Sequence, residues 1–512
     1  MPRRSSASAI PSAAAAPSIY NEGHPASATS YHQGVRLLHI LIAICLAAPL
    51  PAQSPVFQRI SDHIRANDLK ADVSFLASDA LEGRGTPSRG LDLAAEFLAS
   101  QFRRAGLEPA GDDGYFQTAT FYQITPSADP VEFTVGAAPL PKSAITVQDA
   151  AAAQITDASA FRASAADLEG LAADQVRGKV LLIDPGDGGF QGLRRIPAQV
   201  AKLEPALVAI VRGTSPAGPG GMRGPRVPLR DAQPKIAILN IADTALHDAV
   251  AAAKTGPMDM KVSARVPAPK VEIAKVRNVA AVIRGADPAL KDSYLVVTGH
   301  YDHLGINPNA EGDKIFNGAN DDASGASSVV EIAAALQALP EKPKRTIVFV
   351  AVFGEEVGGL GARWYTGHPI FPIAKTIADI NLEQLGRTDD LEGPKVAQFN
   401  LTGFDYTDIA ATFAKLTPET GIQVVKHEKN SDAFFGRSDN ATFADAGIPS
   451  TTISVSYVYP DYHKASDEWP KLDYDNMAKV DRAIALGVWN MANDPQPPHW
   501  NKDNPKTARY VK

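Results

Sequence analysis

The sequence predicts an α/β protein with a mixed, mostly parallel β-sheet flanked by helices, into which a small β-rich domain is inserted. Three observations lead to this prediction. From residue 278 onward, apolar runs of strand length alternate with stretches of helical periodicity, which is typical of a sheet buried between helices. In residues 126–269, short β-type runs instead alternate with alanine-rich stretches. Residues 56–106 predict two helices.

The individual elements follow from local patterns. The second N-terminal helix carries its apolar residues on one face and is predicted to end at Gly106; these residues are Leu91, Ala94, Phe97, Leu98 and Phe102. The predicted strands of the insert are VEFTV, GKVLLI, LVAIV and KIAILNI. Those of the main sheet are NVAAVI, YLVVTG, TIVFVAVF, TIADINL and TTISVS. A helix is predicted after Asp321 and a last helix near 475–492. The polar residues that follow predict a loose tail.

Composition excludes several classes of protein. The 512 residues are 45% apolar and 21% charged, which is typical of globular chains. A net charge of −7 gives no basic surface for nucleic acid, so no nucleic-acid partner is expected. Cys45 is the single cysteine, which excludes a disulfide framework, a thiolate zinc site and an iron–sulfur cluster. No apolar run reaches the roughly 18 residues of a membrane span.

The N-terminal region predicts export. Residues 37–50 are an apolar run of signal-peptide length, preceded by Arg36 and followed by small residues. A buried core helix is the alternative. The exported chain, without residues 1–52, would have no cysteine and would suit the periplasm or the extracellular space. The predicted domains are therefore an extension with a signal peptide (1–52), one domain in two segments (53–125 and 270–495), an insert (126–269) and a polar tail (496–512).

The sequence lacks H-E-x-x-H, G-x-S-x-G, P-loop and C-x-x-C motifs. Histidines and carboxylates instead follow predicted strands, and sites in open α/β sheets form at the carboxyl ends of strands. The five segments that carry them are GHYDH (299–303), NGANDDASG (317–325), GEEVGG (354–359), DINLE (379–383) and YHKASD (462–467).

Each segment has a chemical and a structural interpretation. His300 can offer one ring nitrogen to a metal while Asp302 holds the other, although a lone histidine is more often structural. Asp321 can bind a metal from the start of a helix, or it can cap that helix. Glu355 and Glu356 can divide the roles of general base and metal ligand, or they can be a solvated strand end.

Glu383 and His463 complete the pattern. An acid at the end of an apolar strand suggests a partner for its charge, whereas His463 alone is unremarkable. Taken in order, two histidines and three carboxylates suit a divalent ion, above all zinc.

The order of these segments and their amino-acid sequences resemble the co-catalytic two-zinc aminopeptidase family, in its secreted form with an inserted protease-associated domain. The matching stretches are LASDALEGRGT (76–86), GLDLAAEFLASQFRRAGLEPAGDDGYFQ (90–117), VVTGHYDHLG (296–305), NGANDDASG (317–325), FGEEVGGLGAR (353–363), INLEQLGR (380–387), GRSDNATFADAGIPS (436–450) and YHKASDE (462–468). GKVLLID (178–184) resembles the protease-associated insert. The resemblance implies a zinc exopeptidase fold and peptide substrates.

The resemblance also implies a role for each residue. One zinc would be held by His300, Asp321 and Glu383, and the other by Asp321, Glu356 and His463, so that Asp321 bridges two Zn²⁺ ions. A water activated by both zincs would attack the peptide bond. Glu355 would act as the general base, Asp302 would orient His300, and Tyr462 would donate a hydrogen bond to the oxyanion.

Further features come with the resemblance. The family often has a cis peptide after the bridging acid, here Asp321–Asp322. The chain departs from many relatives at Glu383, where they carry aspartate, and from some at Asn440, where they carry histidine. Apart from the family roles, an apolar side-chain pocket or ordinary core packing would each explain four aromatic residues, Phe434, Phe435, Tyr457 and Tyr459.

Three other functions remain open at this stage. A glutamate-carboxypeptidase-like exopeptidase would need a basic pocket, for which Arg363, Arg387 and Arg437 are available. A glutaminyl-cyclase-like acyl transferase would use one zinc on a related fold. A non-catalytic binding protein is the third alternative. The preferred residue and the oligomeric state are not predicted.

Overall fold

The computed structural model describes residues 53–186, 196–197, 199–213 and 229–512. The predicted signal peptide within 1–52 lies outside the described residues, and so do residues 214–228 of the predicted insert, which are rich in proline and glycine. Within the described ranges, every helix is too short or too polar to cross a membrane.

The N-terminal region forms more helices than the two predicted. The chain turns out of helical geometry at Ile64 and Arg65, so the first predicted helix is divided in two. The predicted apolar face of the later helix is confirmed, since Leu91, Leu98 and Phe102 are buried. The α-helices are α1 (Pro55–His63), α2 (Ala66–Leu76), α3 (Arg89–Arg104), α4 (Ala173–Val176), α5 (Thr244–Ala252), α6 (Ser324–Gln337), α7 (Leu360–Gly367), α8 (Ile409–Ala414), α9 (Thr417–Thr420), α10 (Asn430–Ala433), α11 (Asn440–Asp445) and α12 (Tyr474–Asn493). Shorter helical turns span Asp79–Arg84, Lys142–Ala144, Asp167–Gly170, Ala319–Ala323, Ile373–Lys375, Trp469–Lys471 and Pro505–Thr507.

Within the described residues, the strands form two large sheets and two short two-stranded sheets. They are β1 (Glu108–Pro109), β2 (Phe116–Thr125), β3 (Glu132–Val135), β4 (Ala138–Pro139), β5 (Ile145–Asp149), β6 (Ala153–Ser164), β7 (Val180–Asp184), β8 (Leu207–Arg212), β9 (Leu229–Arg230), β10 (Ile238–Ala242), β11 (Gly256–Val266), β12 (Lys270–Ile283), β13 (Tyr294–His300), β14 (Gly305–Ile306), β15 (Ile315–Phe316), β16 (Thr346–Val352), β17 (Thr376–Leu382), β18 (Asp389–Asp390), β19 (Gly393–Pro394), β20 (Gln398–Leu401), β21 (Gln423–Val425) and β22 (Ser450–Ser454).

The first sheet is mixed, as predicted. Its order is β21-β20-β22-β17-β13-β16-β12-β2-β9, and β1 also pairs with β12. The four central strands, β22, β17, β13 and β16, run parallel to one another. Strand β12 flanks them on one side and β20 on the other, both in antiparallel orientation, and β2 pairs antiparallel with β12, so parallel pairing is concentrated in the middle of the sheet. The carboxyl ends of the four central strands therefore lie at one edge.

Helices cover both faces of this sheet, because alternate strand residues point to opposite sides. On β12, Val279 and Ala281 pack into the core formed with α1, α2, α3, α6 and α12. Their neighbours Ala280 and Val282 pack into a second core, with α7 and α11. Burial on both faces explains why the central strands are continuous apolar runs.

The second sheet has the order β4-β3-β11-β6-β7-β8-β10-β5. All of its strands come from the stretch in which the sequence predicts an insert. It has an apolar core on each face, one of which includes Leu246 and Val250 of α5. One strand of that stretch, β9, pairs with β2 in the first sheet instead. The identity of this sheet as a protease-associated domain stays a prediction.

The C-terminal tail is ordered, contrary to the prediction that residues after 494 are loose. Trp500 stacks on Tyr510 with ring centroids 5.1 Å apart, and both are buried. They pack with Tyr406 and Phe435 in a small aromatic core. The prediction of a loose tail was wrong because it rested on the polar composition, whereas two large aromatic side chains, Trp500 and Tyr510, hold the segment in place.

A buried acidic pair between α2 and α6 gives a testable pH dependence. Burial, together with the charge of Glu331, raises the pKa of Asp72 to about 7. Since the folded pKa lies above the unfolded value, the folded state binds more protons, and stability falls as pH rises from about 4 through 7. We expect Asp72→Asn to stabilise the protein at pH 8 by about 2–4 kcal/mol, since one pKa unit corresponds to about 1.4 kcal/mol.

Urea unfolding of Asp72→Asn at pH 5 and pH 8 checks this prediction. The variant should gain stability at pH 8 and little at pH 5. Asp62→Asn, on the exposed side of α1, is the matched control and should change neither value by more than about 0.5 kcal/mol. An equal effect of Asp72→Asn at both pH values would contradict the titration of this residue.

Candidate metal centre

The predicted site residues meet at the carboxyl edge of the central parallel strands. His300 ends β13, and Glu355 and Glu356 follow β16. Glu383 comes directly after β17, and His463 lies in the loop that follows β22. Asp321 stands on the turn that opens α6, the crossover helix between β13 and β16. Sheet topology therefore brings together residues that are up to 163 positions apart in the chain, from His300 to His463.

One set of side chains consists of His300, Asp321 and Glu383. A ligand atom from each lies within 4.8 Å of the others. Nε2 of His300 is 3.3 Å from Oδ1 of Asp321. The other ring nitrogen of His300 lies 3.2 Å from the carbonyl oxygen of Asp302 and 3.5 Å from its Oδ1. Asp302 thus contacts His300 through its backbone as well as its carboxylate.

A second set lies on the other side of Asp321. Nε2 of His463 is 3.1 Å from Oδ2 of Asp321 and 3.1 Å from Oε1 of Glu356. His303, which has no assigned role among the residues predicted from the sequence, joins this set, because its Nδ1 is 3.1 Å from the same oxygen of Glu356. Each oxygen of Asp321 therefore faces a different set.

These residues fit a pair of divalent cations. Among the described residues, Nε2 of His300, Oδ2 of Asp321 and both ring nitrogens of His303 are buried and make no geometrically acceptable hydrogen bond. Leaving such groups without a partner is costly, and a coordinated cation removes the cost. Imidazole and carboxylate are the side chains with which zinc is bound in catalytic sites.

The ionisable side chains at the centre shift the pKa values of one another. Burial acts to raise the pKa of Asp321, but the imidazoles of His300 and His463 outweigh it and hold that pKa well below its ordinary value. Burial and the charge of Asp321 act to raise the pKa of Glu356, but His303 and His463 lower it. Both carboxyls are therefore ionised, which is the form that binds a metal.

Glu355 and Tyr462 border the centre without belonging to either set. The backbone N–H of Glu355 donates to Oδ1 of Asp302 over 3.0 Å, and its side chain is partly exposed. Burial, partly offset by His300, raises the pKa of Glu355 well above its ordinary value. Tyr462 is 38% exposed, and its ring stacks on His463 with centroids 3.9 Å apart.

Arg84 holds the loops of the centre together. Its buried guanidinium donates to the backbone oxygens of Tyr301, Asn317 and Gly318 over 2.7–2.9 Å, and also to that of Leu76. The first three of these carbonyls lie in the two segments that carry His300 and Asp321. This role of Arg84 was not predicted from the segment LEGRGT, where the available signal is an arginine between two glycines.

Asp467 fixes the turn that carries Asp321. Its carboxylate accepts the backbone N–H groups of Asn320 and Asp321 over 3.1 Å, and the hydroxyl of Tyr459 donates to it over 3.0 Å. Tyr459 is buried and supports this turn. The peptide bond between Asp321 and Asp322 is cis, which confirms that prediction.

Other residues from the sequence analysis have structural partners. Phe435 belongs to the aromatic core of the tail, and Tyr457 is buried against Phe434 with ring centroids 5.2 Å apart. Asn440 is buried, donates to the carbonyl of Phe435 and accepts from the hydroxyl of Thr452. Asn440 thus connects the segment that follows α10 to β22.

Comparisons with known proteins agree with this geometry. Residues 278–488 match the sequence model of peptidase family M28. A probable zinc metalloprotease of Pyrenophora teres f. teres (strain 0-1) is 27% identical over 238 residues, which cover 44% of this chain and 50% of that protein. Aminopeptidase YwaD of Bacillus subtilis (strain 168) is 24% identical over 208 residues, 40% of this chain and 42% of that protein. The chain thus spans about half the length of the curated relatives it matches.

A solved structure is similar over almost its whole length. The aminopeptidase from Aneurinibacillus sp. strain AM-1 aligns with a TM-score of 0.55 and 20% identity, covering 86% of this chain and 97% of that one. At this identity the likeness shows the fold.

The match of residues 278–488, together with the mixed sheet and the imidazole and carboxylate sets at its carboxyl edge, makes this part of the chain similar to peptidase family M28. The relatives that it matches include proteins named as a probable zinc metalloprotease and an aminopeptidase.

Proposed function

We propose that this chain is an exported aminopeptidase that removes N-terminal residues from peptides, with two zinc ions at the centre and Glu355 as the general base. The observation that carries the proposal is the pair of ligand sets that share Asp321. His300, Asp321 and Glu383 would hold one ion. Asp321, Glu356 and His463 would hold the other. Export rests on the apolar run 37–50.

When bound, two zinc ions supply Lewis acidity and make water a better nucleophile near neutral pH. The chain itself supplies the proton transfers. Glu355 takes the proton of the attacking water and passes it to the leaving amine. Asp302 keeps Glu355 in position through the hydrogen bond to its backbone. Tyr462, beside His463, donates to the substrate oxygen as negative charge develops there.

The arginines that a carboxypeptidase would need are engaged elsewhere or exposed. Arg387 donates to both carboxylate oxygens of Asp389 and to Asp461, so its charge is already balanced. Arg437 lies over the ring of Phe434, 4.7 Å from its centroid. Arg363 is exposed on α7. The pairing of Arg387 therefore favours the aminopeptidase over the carboxypeptidase alternative.

Matched peptides with free, acetylated or amidated ends test the proposal. The zinc-loaded protein should release single N-terminal residues from every peptide with a free amine, whatever its C-terminus, and none from acetylated peptides, as read by mass spectrometry. Chelated protein and Glu355→Gln are the negative controls. Trimming from the C-terminus would overturn the aminopeptidase in favour of a carboxypeptidase, and formation of pyroglutamate alone would overturn it in favour of an acyl transferase.

A further inference from the structure

His303 is a buried imidazole at the centre to which the proposed function assigns no task. It is 1% exposed and lies three residues after His300. Its backbone is fixed, because its N–H donates to the carbonyl of Arg84 over 3.3 Å and it forms a parallel bridge with Gly85.

The position of the ring is built into the fold. Gly318 has a φ of +59° and packs directly against this imidazole. A Cβ atom at position 318 would lie 2.3 Å from Cγ of His303, which is far inside van der Waals contact. Glycine is therefore required at 318 both for the backbone conformation and for the space that the imidazole fills.

The distances around His303 match those of a coordination shell. Its Nδ1 is 3.1 Å from Oε1 of Glu356 and 4.0 Å from Oδ2 of Asp321. Nε2 of His463 is 3.1 Å from each of the same two oxygens. Ligand atoms about 2.0–2.1 Å from a tetrahedral zinc lie about 3.3 Å from one another. Ligand atoms of His303, Asp321 and Glu356 thus lie within 4.8 Å of one another, close enough to bind one ion.

The ion pair with Glu356 accounts for only one of the two ring nitrogens of His303. Within the part of the chain that the structure describes, neither ring nitrogen of His303 makes a hydrogen bond of acceptable geometry, although Nδ1 lies close to Glu356. A buried imidazole held against a backbone, without such a bond, is explained by a ligand that both it and its neighbours bind.

We propose that His303 is a fourth protein ligand, through Nδ1, of the metal ion held by Asp321, Glu356 and His463. This inference rests on the proposed function, since it concerns one of the two zinc positions. That position would then have four protein ligands, whereas the position at His300 would have three. The two positions then differ in affinity, and the first equivalent of metal binds beside His303.

X-ray absorption on the unaltered protein tests the ligand directly. The metal-free full chain is loaded with one equivalent of Zn²⁺, and the imidazoles per zinc are counted. Two imidazoles are expected, from His303 and His463. A count of one would overturn the proposal, because either position without His303 offers a single histidine.

Two substitutions separate a ligand from a hydrogen-bond donor. His303→Ala removes both functions, whereas the amide of His303→Asn can still donate near the place of Nδ1 but is a poor zinc ligand. We expect both variants to weaken binding of the first Co²⁺ equivalent by about 100-fold or more, measured by the visible absorption of the bound ion. His427→Asn is the control and should not change it, because His427 pairs with Glu392 away from the centre.

Wild-type affinity in His303→Asn with loss in His303→Ala would make His303 a donor and overturn the proposal. Wild-type affinity in both variants would overturn it as well. Circular dichroism of the metal-free variants checks that they fold.

Failure of the proposed function would give a different result: unaltered protein would then bind fewer than two zinc ions or leave peptides intact. If unaltered protein binds two ions and cleaves peptides while both variants bind normally, only the role of His303 fails.

Discussion

Replacing Glu355 with glutamine is expected to lower kcat by about 10²–10⁴-fold while the protein keeps its full zinc content. Glutamine has nearly the same shape and can be held by the same backbone bond to Asp302. It cannot accept a proton, so the attacking water is no longer deprotonated and the leaving amine receives no proton. KM should change little, because the side chains proposed to hold the metal are not altered.

Steady-state kinetics on a peptide with a free N-terminus, together with metal analysis by atomic emission, measures both quantities. Glu341→Gln is the matched control, since this exposed glutamate precedes β16 at the opposite end of the strand from Glu355. It should retain wild-type turnover. Loss of one zinc equivalent in Glu355→Gln would show that Glu355 is a ligand, and unchanged turnover would remove it from the mechanism.

Asp321→Asn is expected to reduce the affinity for both metal ions, which no other single substitution at the centre should do. The two oxygens of Asp321 face different sets: Oδ1 lies 3.3 Å from His300 and Oδ2 lies 3.1 Å from His463. An amide keeps one oxygen and presents an uncharged NH₂ group to the other set, so one set loses a ligand and both lose a negative charge. We expect zinc affinity to fall by about 100-fold or more at each position.

Competition with a chromophoric chelator measures these affinities. The thermal stabilisation that zinc gives should shrink in parallel, because a ligand stabilises a fold in proportion to the logarithm of its concentration over its dissociation constant. Asp292→Asn, on an exposed loop before β13, should bind zinc like the wild type. If Asp321→Asn loses only one of the two ions, Asp321 belongs to one set and does not bridge.

The sequence predicted the central sheet and most of the centre well, and the reason is physical. Long runs of β-branched residues such as TIVFVAVF are stable only between two layers of helices, so they mark parallel strands. Once the strands are parallel, polar residues at their carboxyl ends must share one edge. His300, Glu355, Glu356 and Glu383 could be placed there by that argument before any coordinates were known.

Other features depend on contacts that no local pattern encodes. The role of His303 follows from the glycine at 318 beneath its ring, fifteen positions further along the chain. The buried position of Arg84 depends on carbonyl oxygens in two loops more than 200 residues away. Trp500 is anchored by Tyr510 and Phe435, so its polar neighbours gave the wrong expectation. The roles assigned to the five ligands, to Glu355 and to Tyr462 stay predictions until the variants are measured.

The pairing of β2 with β12 has a further consequence for how this chain can be rebuilt. Thr125 and Lys270 are register partners at the end of that pair, so the chain leaves the first sheet and returns to it one strand spacing away, about 4.8 Å. Residues 126–269 are therefore an insertion between two neighbouring antiparallel strands, at the position that a hairpin turn would occupy. An Asn-Gly turn could replace these residues and join β2 to β12 without changing the register of the two strands, although the short pairing of β9 with β2 would be lost. The same tip could accept a different module, because the entropy of closing a loop grows only slowly with its length.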